Sequence, residues 1–287
     1  MTMTRLGMVQ MVSSSDVDTN LARVAPLVAE VVASGADMVF LPENWAAFAT
    51  TQAREIGETE SGPAPVIRAC VSSLAAEHSV WIAAGTLPMA TRPDGALVGA
   101  PRARAASLVF DASGREVARY DKIHMFDVDV EDATKRYRES ERFEAGTELI
   151  TLDWPGGVLG LTVCYDLRFP EVYRELALRE ATIIAAPCAF TEVTGKTHFE
   201  LLIRARAVET QGYMVAACQG GVHDSGRRTW GHSLIVDPLG EVLLDLGRGE
   251  ATGVVEVDPE RIAVVRANMP IARQRRLAYP APVFPAD

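Results

Sequence analysis

Cysteine chemistry at neutral pH needs a base to take the thiol proton or a cation to hold the thiolate. Of Cys70, Cys164, Cys188 and Cys218, it is Cys164 whose surroundings suggest a task. It follows Val158-Leu159-Gly160-Leu161-Thr162-Val163, an apolar run too short for a helix and read as a buried strand. Tyr165-Asp166-Leu167-Arg168 comes next, then Pro170, which suits the first position of a helix because its missing N–H would have no intrahelical partner there. Cys164 is therefore expected at the carboxyl edge of a sheet, where a strand stops and a helix is about to start. Open α/β sheets place their ligands there. The alternative is a small buried hydrophobe, but burial alone does not call for a carboxylate and a guanidinium beside the thiol.

Two further side chains could serve this thiol. Glu43 directly follows Pro42 at the end of Ala36–Glu43, another apolar stretch read as a buried strand. A carboxylate so placed either caps the next turn or works as a general base in a cleft. Lys122 lies in Arg119-Tyr120-Asp121-Lys122-Ile123-His124, where strand alternation puts Tyr120, Lys122 and His124 on one face and points Asp121 away. His78, His124, His198, His223 and His232 fall in unrelated contexts with no evident orienting acid and read as structural or surface residues.

The elements that must position these residues alternate along the chain. Arg5–Val12 reads as a strand, 18–34 as a helix stopped by Gly35, 61–78 as a helix and 80–87 as a strand. A glycine- and proline-rich loop spans 91–101. Residues 106–117 read as a hairpin turning at Ser113-Gly114 and continuing to His124, and 127–146 as a charged, solvated loop long enough to be functional. After the Cys164 strand and its helix come a strand at 182–190, a helix at 194–210 and a strand at 213–221. A hairpin at 231–246 turning at Asp237–Gly240, a strand at 254–257 and a helix capped by Asp258 and ending at Asn268 complete the series. GADMVFLPE and EATIIAAPC echo each other as helix end, apolar strand and proline. No low-complexity linker interrupts the alternation, so one α/β domain is expected over 1–270, followed by a proline-rich extension over 271–287.

Composition narrows the function. A formal charge of -10 argues against nucleic acid. No apolar run reaches membrane-span length and no leader pattern opens the chain, which points to the cytoplasm and away from a membrane. The scattered cysteines fit reduced thiols, neither a disulfide framework nor a metal site. No glycine-rich phosphate loop suggests a nucleotide cofactor.

An acid in LPE, a lysine in YxKIH and a cysteine in CYDLRFPE, in that order, resemble the nitrilase superfamily of carbon–nitrogen hydrolases. The resemblance runs from RLGMVQM to WGHSLIVDPLGEVL, and HFELLIRARAVETQGYMVAACQ is similar to its amidase branch. It implies a four-layer αββα sandwich that forms homodimers or larger assemblies, and a catalytic triad of Glu43, Lys122 and Cys164. It also implies a second glutamate before the cysteine, matched best by Glu139 and less well by Glu141.

The implied chemistry is hydrolysis of a small amide through a thioester, without metal or organic cofactor. Glu43 would act as base and then acid, and Lys122 and the Tyr165 N–H would hold the oxyanion. Glu139 would orient Lys122 or the attacking water. Likeness to ω-amidases and deaminated-glutathione amidases places Arg168 against a substrate carboxylate, with Phe190 and Thr191 lining the pocket. Arg168 is the arginine evident near the thiol in sequence; its alternative is an ion pair with Glu171 or Asp166. Nitrile or N-carbamoyl amide hydrolysis could use the same triad, and a non-catalytic binding protein could use the same fold.

Overall fold

The computed structural model describes residues 3–277. The first half runs β1 (Thr4–Gln10), α1 (Val17–Ala33), β2 (Met38–Phe40), α2 (Ala53–Ser61), α3 (Ile67–His78), β3 (Trp81–Ala83) and β4 (Leu87–Met89). It continues through β5 (Arg104–Phe110), β6 (Glu116–Asp121), β7 (Asp127–Asp129) and β8 (Arg136–Arg138). The second half contains β9 (Thr151–Trp154), β10 (Gly157–Leu161), α4 (Pro170–Leu178), β11 (Ile183–Ala185), α5 (Glu192–Thr210) and β12 (Tyr213–Ala216). It closes with β13 (Leu234–Val236), β14 (Val242–Asp245), β15 (Ala251–Val257), α6 (Pro259–Asn268) and α7 (Ile271–Gln274).

Two sheets result. One has the order β15-β1-β2-β3-β5-β4 with β6 on β5, and the other β14-β13-β12-β11-β10-β9. Each contains a parallel triplet, β1-β2-β3 and β10-β11-β12. The two echoing sequence segments supply the middle strands, β2 and β11.

Side-chain alternation sorts the layers. Leu6, Met8, Met38 and Phe40 share a core with Leu159, Leu161, Ile183 and Val215 of the facing sheet. Val9 and Val39 point the other way, into a second core with Val24, Val28 and Val31 of α1 and Val71 and Leu74 of α3. Gly160 lies between Leu159 and Leu161, and a Cβ there would stand 3.2 Å from Leu176 of α4. Its outer face is thus covered by α4, and α5 adds Phe199 and Ile203 to the same core. The molecule is a four-layer αββα sandwich.

Several sequence-based boundaries shift for physical reasons. The helix expected over 61–78 begins at Ile67, because Gly62-Pro63-Ala64-Pro65 breaks it from a separate helix, α2. Glu60 then caps α3, accepting from the N–H groups of Val66, Ile67 and Arg68 at 2.9, 2.8 and 2.9 Å. The strand expected to reach His124 ends at Asp121, although Lys122 N–H still bonds Ala105 O at 3.0 Å. The segment 127–146 is a small hairpin, β7–β8, followed by a 3-10 turn at Glu139–Glu141. Of the expected extension, Ile271–Gln274 is helical and residues 278–287 lie outside the described residues.

The strand expected over 80–87 is interrupted at Gly85, which adopts φ +58. A Cβ there would lie 1.9 Å from the carbonyl oxygen of Pro42, next to Glu43. Gly85→Ala is therefore expected to destabilise the fold by roughly 1–3 kcal/mol in urea denaturation. By displacing Glu43 it should also cut turnover at least ~10-fold. Wild-type stability and turnover in that variant would refute the role given to this contact.

Candidate active site

Each candidate catalytic residue is delivered by a strand end. Glu43 follows β2 and Pro42, and its backbone carbonyl accepts from Gln219 Nε2 at 3.1 Å. Lys122 follows β6, its own carbonyl accepting from Gly146 N–H at 2.8 Å. Glu139 opens the turn after β8. Lys122 Nζ donates to Glu43 Oε1 at 2.9 Å and to both Glu139 oxygens at 2.8 Å. Glu139 Oε2 also accepts from Phe126 N–H at 2.6 Å. Lys122 is 2 % exposed and Glu43 4 %. Glu141, the alternative second acid, is exposed.

Burial alone would pull the Lys122 ammonium down, but Glu139 and Glu43 outweigh it and hold the group well above its ordinary value. Burial pushes the Glu139 carboxyl up against the pull of Lys122, and Glu43 adds to the rise. One ammonium and two carboxylates leave this cluster net negative when all are ionised.

Cys164 begins a 3-10 turn, Cys164–Arg168, with φ +44. That left-handed conformation is costly for a side chain with a Cβ and persists where neighbours over-determine it. Cys164 N–H bonds Pro187 O at 3.0 Å, and Asp166 N–H bonds Val163 O at 3.0 Å. The Tyr165 N–H precedes that first backbone bond of the turn. From α5, Arg206 holds Leu167 O through Nε and Nη2 at 3.0 and 2.8 Å. Burial pushes the Cys164 thiol well above its ordinary value, helped by the neighbouring Cys188 thiol and by Glu43. A thiol shifted in this direction must lose its proton to a base before it can act as a nucleophile.

Asp166 ties the cysteine turn to the lysine segment. It is fully buried and accepts from Val163 N–H at 2.8 Å, Tyr120 O–H at 2.7 Å and His124 N–H at 3.1 Å. His124 Nδ1 lies 2.7 Å from Oδ1, the same oxygen that accepts from the His124 N–H, and the imidazole stacks on Phe169. The histidine reading is thereby corrected: His124 and His232 do have acid partners, Asp166 and Asp245. Those acids are far away in sequence, so spacing gave no sign of them. Alternation had placed Tyr120 and His124 on the Lys122 face, the one available hint.

Glu43, Lys122, Glu139, Cys164, Tyr165, Arg168, Phe190 and Thr191 all line one cavity of about 440 Å³. That size suits a small-molecule ligand. Arg168 forms no ion pair with Glu171 or Asp166. Its guanidinium lies 5.7 Å from the Tyr165 and Phe190 ring centroids, and Nη2 is 3.3 Å from His198 Nδ1. The Thr191 hydroxyl caps α5, accepting from Thr194 N–H at 3.2 Å. Arg168 is not alone near the thiol: Arg142 and Arg227 reach the same cavity from distant loops, with Phe48 and Tyr137. Among the described residues no group of three or more His, Cys, Asp or Glu side chains is placed to hold a metal ion.

Residues 5–267 match the family model described as carbon-nitrogen hydrolase. The chain is 38% identical over 271 residues to a deaminated glutathione amidase of Yersinia enterocolitica, covering 94% of this chain and 92% of that protein. It is 33% identical over 273 residues to an omega-amidase of Mus musculus, covering 95% of each. The crystal structure of Saccharomyces cerevisiae Nit3, a member of branch 10 of the nitrilase superfamily, superposes with a TM-score of 0.84 at 30% identity. That superposition covers 96% of this chain and 97% of the yeast chain.

Two outcomes follow from the geometry. Asp166→Asn keeps the shape but sets an amide N–H₂ against donors, so it should cost about 2–4 kcal/mol in urea unfolding and lower kcat more than it raises KM. Unchanged stability would show that Asp166 does not tie these segments together. Glu43→Gln removes one of the negative charges that oppose the thiolate. The midpoint of the pH profile for Cys164 alkylation should therefore move down while amide turnover falls at least ~10²-fold. An upward or absent shift of that midpoint would refute the assigned electrostatics.

Proposed function

The chain belongs to the carbon–nitrogen hydrolase family, and from that premise we propose that it is a cysteine-dependent amidase cleaving a small linear amide that carries a carboxylate. The observation that carries this reading is the buried Lys122 ammonium held at 2.9 Å by Glu43 and 2.8 Å by Glu139, in the same cavity as Cys164. Lys122 is too well neutralised to act as a proton donor or acceptor at neutral pH, yet its charge is fixed beside the reacting carbon. Glu43 is then the base.

Glu43 takes the proton of Cys164, and Sγ attacks the amide carbon. The oxyanion is held by Lys122 and the Tyr165 N–H, which points from the first step of a rigid turn. Glu43 returns the proton to the departing nitrogen as the C–N bond breaks, leaving a thioester. The same carboxylate then deprotonates water, which releases the acid and restores the thiol. Glu139 keeps Lys122 aimed throughout. Arg168, with no carboxylate partner among the described residues, takes the substrate's acid through its planar fork. The proposed enzyme works in the cytoplasm as a homodimer or larger assembly, without cofactor. Residues 1–270 form its catalytic domain.

Ammonia or amine release from carboxylate-bearing amides tests this reading, set against neutral amides, nitriles and N-carbamoyl amino acids. Cys164→Ala should abolish release. Arg168→Ala should lower kcat/KM for the carboxylate-bearing amide by roughly two decades and that for a neutral amide of equal length much less. Equal losses in a folded variant would remove Arg168 from substrate recognition, and wild-type turnover in Cys164→Ala would remove the mechanism.

A further inference from the structure

The proposed base and nucleophile stand on different sheets. Glu43 follows β2, in the sheet of β1, β2 and β3, whereas Cys164 follows β10 in the facing sheet. The layer between the sheets is mostly apolar. Apolar contact is non-directional, so it does not hold one strand end against the other with the accuracy that proton transfer demands. Asp166 supplies directional bonds on the Lys122 side, through Tyr120 and His124.

Gln219 makes the corresponding connection on the Glu43 side. It is fully buried and lies just past the end of β12. Its backbone belongs to the sheet of Cys164. Cys164 N–H bonds Pro187 O at 3.0 Å, and the carbonyl of the next residue, Cys188, accepts from Gln219 N–H at 2.9 Å. Its side chain crosses to the other sheet. Nε2 donates to the Glu43 carbonyl at 3.1 Å and to Ser13 Oγ at 2.9 Å, and Oε1 accepts from Ser13 N–H at 3.1 Å. The Ser13 N–H can only donate and the Glu43 carbonyl can only accept, so the amide is fixed one way round. Ser13 is itself fully buried, and its carbonyl accepts from His223 Nδ1 at 2.7 Å. Gly220 N–H to Met11 O at 2.9 Å and Gly231 N–H to Gln219 O at 3.1 Å secure the backbone around the glutamine. Gln219 does not line the cavity. Any effect it has on turnover must therefore pass through another residue.

We propose that Gln219 is a positioning residue: a strut between the sheets that sets the spacing of the Glu43 carboxylate from the Cys164 thiol. This rests on the assignment of Glu43 as base given above. The strut holds the Glu43 backbone, while Lys122 aims the carboxylate. Gln219→Met keeps the bulk and removes all three side-chain bonds. Per folded molecule it should lower kcat roughly 10- to 100-fold and change KM by less than roughly 3-fold, because no cavity contact is lost.

A double-mutant cycle with Glu43→Gln separates positioning from plain loss of structure. A residue that acts through Glu43 has little left to lose once the base is gone. Adding Gln219→Met to Glu43→Gln should thus lower turnover by less than roughly 3-fold more. Cys164 alkylation gives the same cycle without hydrolysis. Its pH midpoint should move down in Gln219→Met, since the carboxylate that raises the thiol is no longer held beside it, and should not move further in the double variant. Should Gln219→Met not fold, Gln219→Glu carries the same cycle. It keeps an acceptor for Ser13 N–H and sets its second oxygen against the Glu43 carbonyl. Wild-type kcat in a folded variant, or additive effects in both cycles, overturns the strut. If the wild type hydrolyses no amide while the alkylation cycle is coupled, the amidase reading falls and the strut stands.

Discussion

An ammonium group taken out of water and held by two carboxylates is the constraint on which the rest of the site depends. An isolated buried lysine would lose several kcal/mol of hydration or shed its proton. Lys122 bears that loss and keeps its proton, because Glu43 and Glu139 approach from segments 79 and 17 residues away and compensate for it. The hairpin and turn over 127–146 are poor in apolar residues, so hydrophobic burial has little to fix them with. Their order comes from polar contacts: the ionic bond of Glu139 to Lys122, and the bond of Ser140 N–H to Asp127 at 3.0 Å. The catalytic arrangement and the folding of its longest loop are thus one interaction seen from two sides.

The same cluster decides how the thiol works. A single lysine or histidinium beside a cysteine favours a standing thiolate. Here the lysine charge is more than cancelled, and burial raises the thiol further, so in the proposed reaction the thiol gives up its proton only as it attacks. Such a mechanism demands a fixed base-to-sulfur geometry. The left-handed backbone at Cys164, the four donors gathered on Asp166 and the grip of Arg206 on Leu167 provide it. Pro42 and Gly85 provide it on the Glu43 side.

The layered α/β architecture was legible because strand and helix periodicities are local properties, and so was Cys164, marked by a strand-to-helix junction. Glu43 and Lys122 could be suspected from their strand-end contexts but became a constellation only through the likeness of three motifs to a family. Glu139 could be matched by likeness alone, since its partner is made by a fold-back no periodicity announces. Asp166 shows the limit most clearly. Its neighbours in sequence suggested a pairing with Arg168, whereas its real donors come from Val163, Tyr120 and His124, two of them more than 40 residues away. Short strands such as β2, β3 and β11 were overestimated because the apolar run continues past the last ladder bond into the buried approach to the site. Arg142 and Arg227 were invisible as site residues because loops bring them in, and an arginine in a loop looks like any other surface charge.

The electrostatics of the cleft explain why those loops carry arginine in a chain whose formal charge is -10. Keeping Lys122 buried takes two acids, which makes the reacting centre net negative and repellent to an acidic substrate. Positive groups are needed around it, yet they must not be drawn onto Glu43 or Glu139, which would loosen the lysine. Lysines at the rim would be flexible enough to reach those carboxylates and strongly hydrated besides. Guanidinium groups stay charged when half-buried, and each of these is held off by its own contact: Arg168 between Tyr165 and Phe190, Arg227 against Tyr137 and Phe48, Arg142 on the Thr50 carbonyl. The aromatic walls therefore do more than line the pocket. They hold Arg168 and Arg227 off Glu43 and Glu139, so that one cavity holds both a buried lysine–carboxylate cluster and guanidinium groups with no carboxylate partner among the described residues.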